Sequence, residues 1–66
     1  MEEIDIWRTA TLLIRQHGGD AAFFAAQRAD ALLTGGDPTG GLVWLKVFRA
    51  IEELKRQAPR EGETLN

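Results

Sequence analysis

Apolar side chains recur along this chain at the three-to-four-residue interval of a helix, in three stretches divided by glycine pairs. The pairs are Gly18-Gly19, Gly35-Gly36 and Gly40-Gly41, which account for six of the seven glycines. The first two stand where a helical stretch stops. Glycine ends helices readily because it enters the left-handed region without a Cβ penalty. An aspartate follows each, Asp20 or Asp37. Its carboxylate can accept from the free N–H groups of the next helix and complement that helix's dipole. Pro38 then falls at a first helical position, where its missing N–H costs nothing. These signals predict an all-α fold, a compact three-helix bundle with helices over about 4–17, 21–34 and 38–57. No alternation of β-branched residues is sustained, so no strand is expected.

The helical wheel sorts the faces. In the first helix Ile6, Trp7, Ala10, Leu13, Ile14 and His17 share one arc of about 120°. Arg8, Thr11 and Arg15 lie beside that arc, and Leu12 lies nearly opposite. In the second, Ala22, Ala25, Ala29, Leu32 and Leu33 share a broad face flanked by Phe24, with Phe23 on the polar side among Gln27, Asp30 and Thr34. In the third, Val43, Trp44, Val47, Ala50, Ile51 and Leu54 form the inward stripe, with Phe48 at its edge. Lys46, Arg49, Glu52, Glu53 and Arg56 point outward, and Glu52 and Arg56 have the spacing of an i,i+4 ion pair. Short connections are expected to make consecutive helices antiparallel neighbours, with Trp7 and Trp44 as the largest core anchors.

Composition narrows the function classes. At 66 residues the chain holds one domain at most, assigned to residues 1–57, with a loose tail over 58–66. In the last ten residues Leu65 is the one large apolar group, too little to repay ordering. No cysteine means no disulfide and no thiolate zinc site, and one histidine cannot form a histidine metal cluster. Serine and tyrosine are absent too, a poor kit for covalent catalysis. No cofactor and no enzymatic activity are expected. A pI near 5.2 and a net charge of −2 disfavour nucleic acid. Glu2, Glu3 and Asp5 crowd the start where a secretory signal would be basic. No run approaches the roughly 20 apolar residues of a membrane span. A cytoplasmic address without membrane contact follows as the expectation.

One ordered set of residues resembles a known pattern. It runs Trp7, Ala10, Leu13, then His17-Gly18, then Ala21, Phe24, Ala26, Arg28 and Leu32, then Gly36-Asp37, Gly40, Trp44 and Leu54. This resembles a family of short helical proteins of unknown function common in alphaproteobacteria. Gly19, Gly35 and Gly41 double the glycines of that pattern. The resemblance implies a small helical protein and carries over no catalytic residue.

Each polar candidate has a plain alternative. His17 could be a pH switch or general base, or simply a histidine in a last helical turn, where the dipole favours its charged form. Arg28 could hold an anion, or form an internal ion pair with Asp20, Asp30 or Asp37, or lay its stem along apolar surface. Gly40-Gly41 at a helix start could cradle phosphate, but the strand and the lysine of a P-loop are missing. Asp5, Asp20, Asp30, Asp37, Glu52 and Glu53 match no metal-binding spacing. A helix-turn-helix would have to present Pro38, Thr39, Gly40 and Gly41 to DNA, which offers few donors.

The informative residues are apolar. Leu12, Phe23, Leu42 and Leu45 all fall off the inward stripes, and Leu42 and Leu45 are neighbours on one helix. They are the candidate interface. The preferred expectation is a non-enzymatic interaction or regulatory module, a homodimer or bound to another protein. A ligand-binding or catalytic accessory using His17 and Arg28 is the alternative, and weak DNA binding is third.

Overall fold

The computed structural model describes residues 2–57, and the tail expected over 58–66 lies outside them. Among the described residues the fold is all helical. Helix α1 spans Glu3–His17, a short 3-10 turn Gly18–Asp20 follows, α2 spans Ala21–Thr34 and α3 spans Pro38–Gln57.

The two junctions differ in kind. Between α2 and α3 the chain reverses. Gly36 sits at φ 89°, Asp37 N–H donates to the Leu32 carbonyl at 2.8 Å, and Gly36 N–H donates to that of Leu33 at 3.3 Å. That pair of bonds is a Schellman closure, and it requires a residue free to adopt positive φ. Asp37 then starts α3: its Oδ1 accepts from Gly40 N–H at 3.0 Å, and its main-chain oxygen accepts from Gly41 N–H at 2.9 Å.

Between α1 and α2 there is no reversal. Gly18 N–H still donates to the Ile14 carbonyl, and Ala21 N–H donates to that of Gly18. Gly18, at φ 57° and ψ −128°, bends the path without breaking it. Residues 3–34 thus form one long helix bent at Gly18–Asp20. The expected antiparallel packing of the first two helices is corrected accordingly: α1 and α2 meet little, and α3 lies against both, most extensively against α2. Asp20 is likewise not a cap. Its backbone, at φ −91° and ψ 1°, lacks the extended geometry of an N-cap, and its side chain makes no capping bond.

The buried apolar residues are Ile6, Ala10 and Leu13 of α1, Ala21, Ala22, Ala25 and Ala29 of α2, and Val47, Ala50 and Ile51 of α3. Alanine dominates the α2–α3 seam, so the two backbones approach closely. Gly41 marks the contact: a Cβ there would stand 2.5 Å from Leu33 Cγ and 3.3 Å from the Ala29 carbonyl oxygen. A seam this tight has no room for an indole. Trp44 therefore lies half-buried over the core; Trp7, where α1 meets α3, is half-buried as well, and the largest fully buried side chains are Ile51 and Val47. The pairing expected of Arg56 is also corrected. Its partner is Glu53, one turn back, and Gln57 Nε2 donates to the same carboxylate at 2.9 Å.

Candidate interaction surface

The Asp37 cap places the first turns of α3, and with them Leu42 and Leu45. Leu42 is 56% exposed and Leu45 is half-buried. With Lys46 and Arg49 they line a shallow recess. Lys46 and Arg49 also wall a second recess, completed by Glu3, Ile6 and Trp7 of α1. Trp7 in turn opens a third, with Arg8, Thr11, Leu12 and Arg15. Shared walls join the three into one face running from α3 onto α1. The Thr11 hydroxyl donates to the Trp7 carbonyl at 2.9 Å, so its polar group is turned to the backbone.

Of the candidate interface residues, Leu42 and Leu45 stand together on α3, and Leu12, 51% exposed, lines the separate recess on α1. Phe23, 64% exposed on α2, lines none of these recesses. Sequence reading singled out Trp7 only as a core residue. Its place at the edge of the core arc, beside Arg8, Thr11 and Arg15, was the signal that it also faces outward.

The polar candidates fall in a second cluster. The His17 ring stacks on Phe24 with centroids 4.5 Å apart and planes at 17°. Phe24 meets Trp44 edge-on at 6.1 Å, and the Arg28 guanidinium lies 5.9 Å from the Trp44 ring centroid. His17 and Arg28 are thus the two ends of one ladder. Among the described residues, the contact made by Arg28 is with an aromatic face rather than with Asp20, Asp30 or Asp37. His17 does not join the core arc to which the wheel assigned it. The bend at Gly18 ends that arc one residue later, and the imidazole is exposed.

Among the described residues no three His, Asp or Glu side chains are grouped to hold a metal ion, and no helix is long and apolar enough to cross a membrane. Comparison with known proteins finds no match to the chain among family models, curated proteins or solved structures.

Proposed function

We propose that this chain is a small non-enzymatic protein-interaction module that works through the joined α1/α3 face. The observation that carries the reading is the pairing of Leu42, 56% exposed, with Leu45 in a recess rimmed by Lys46 and Arg49. An apolar centre inside a polar rim is the usual anatomy of a protein interface. Proposed with it is kinship with short alphaproteobacterial helical proteins, supported by the Trp7-to-Leu54 pattern. We also propose that the bent helix and α3 act together as a three-helix bundle, since α3 packs on both arms.

The test is Leu45→Glu. At an interface it leaves helicity unchanged by circular dichroism and abolishes association with whatever covers the face, a second copy included. In a core position the unpaired charge would unfold a domain with so thin a margin. Lost helicity therefore rejects the reading.

A second reading has one observation in its favour. His17 and Arg28 end the same aromatic ladder, an arrangement that could bind a flat anionic ligand. Titration with aromatic carboxylates, followed by tryptophan fluorescence, tests it. Saturable quenching abolished by Arg28→Gln supports it, and quenching indifferent to that change removes it.

A further inference from the structure

The α1/α3 face has a charge balance opposite to that of the chain. The sequence holds ten acidic residues against eight Lys and Arg. Yet the three joined recesses are lined by four cations, Arg8, Arg15, Lys46 and Arg49, and by one acid, Glu3. The ion pair formed among the described residues is Arg56–Glu53, which uses none of the four. Beside the cations lie Trp7, in the recess that α1 and α3 share, Leu12 on α1, and Leu42 and Leu45 on α3.

This composition selects the occupant. A two-fold dimer through the face would bring this net-positive patch against itself, because an isologous contact uses the same patch on both copies. Like charges across an interface oppose association, and opposite charges favour and steer it. A recess between two helices, holding Ile6 and Trp7 and flanked on α3 by Leu42 and Leu45, suits a third helix presenting a stripe at i, i+3, i+4 and i+7. We propose that the α1/α3 groove binds an acidic amphipathic helix of another protein. Its apolar stripe meets Trp7, Leu42 and Leu45, and its carboxylates meet Arg8, Arg15, Lys46 and Arg49. The proposal rests on the interaction-module reading and narrows it to one chemistry of partner.

The experiment uses the full chain and two fluorescein-labelled synthetic helices. Both carry leucine at i, i+3, i+4 and i+7. One has glutamate at its polar positions and the other has lysine. Fluorescence anisotropy is read at low and at high salt, beside light scattering of the protein alone. The expected result is a monomer that binds the glutamate helix, loses about tenfold in affinity at high salt, and ignores the lysine helix. The double reversal Lys46→Glu with Arg49→Glu then exchanges the preference. Should that variant lose helicity, Arg8→Glu with Arg15→Glu, at exposed positions of α1, makes the same test.

Binding of neither helix, or of both equally, overturns the proposal, as does a preference for duplex DNA. A dimer that Leu45→Glu dissolves also overturns it. In that case the interaction-module reading survives with a second copy as occupant. If neither helix binds and Leu45→Glu unfolds the chain, both fall.

Discussion

Ile51 and Val47, and neither tryptophan, are the largest fully enclosed side chains, and Ile51 has no exposed surface. Burial and not size sets the cost of truncation, because the cost combines lost transfer energy with the cavity left behind. Ile51→Ala should therefore cost about 2–5 kcal/mol. Trp7→Ala removes a larger group that is only half-buried, so its cost should be about 2 kcal/mol, half that of an enclosed ring. Urea denaturation of the two variants checks the order, and a costlier Trp7→Ala would make the indole the anchor. Gly41 shows the other side of the same packing. The spacing of glycines along the chain marks it as a helix start, but what it does is admit Leu33 and the Ala29 carbonyl to the α3 backbone. Nothing local distinguishes it from Gly40, whose amide serves the Asp37 cap.

The caps and bends of the helices give two more expectations. Asp37 holds the start of α3 through Gly40 N–H, so Asp37→Ala should cost about 1 kcal/mol. Asp37→Asn should cost less, since the amide keeps an acceptor and loses only the charge. Thermal melts by circular dichroism measure both, and equal losses would mean that charge rather than capping matters. Gly18 sets the bend between α1 and α2 at φ 57° and ψ −128°, a backbone geometry hostile to any side chain. Gly18→Ala should lower stability by about 1–3 kcal/mol while leaving helix content near that of the parent. The helical hydrogen bonds on either side do not depend on the angle at Gly18. The packing of both arms on α3 does. A variant that loses helicity in proportion to stability would show that the bend is needed to form the helices themselves.

Because α1 and α2 meet little, α3 is the main packing partner of each arm among the described residues. Ile6, Ala10 and Leu13 on one arm and Ala22 and Ala25 on the other close around Val47, Ala50 and Ile51. Removing α3 would expose both arms at once, so unfolding should be one cooperative event. Transitions followed by far-ultraviolet circular dichroism and by tryptophan fluorescence should coincide, since Trp7 reports on α1 and Trp44 on α3. Two separated midpoints would show an arm that holds its structure alone. The same architecture leaves the α1/α3 groove open along one side, where Trp7, Leu42 and Leu45 remain partly exposed. Chains this small bury a limited share of their surface, and a partner in that groove would add to a thin margin.

The helices themselves, their ends, the Asp37 cap and the alanine face of α2 were legible in the sequence, because each depends on residues within a few positions of one another. Glycine and proline punctuate by backbone sterics, and apolar spacing follows the helical repeat whatever the surroundings. The direction taken at Gly18–Asp20 was not legible: a glycine pair before an aspartate permits both a reversal and a bend, and packing on α3 selects between them. The same holds for the depth of Trp44, which depends on how closely alanine lets α2 and α3 approach. It holds also for the meeting of Trp7 with Lys46 and Arg49, and of His17 with Arg28 through Phe24 and Trp44. Those neighbours lie far apart in the chain, and only the crossing of α3 over both arms brings them to one surface.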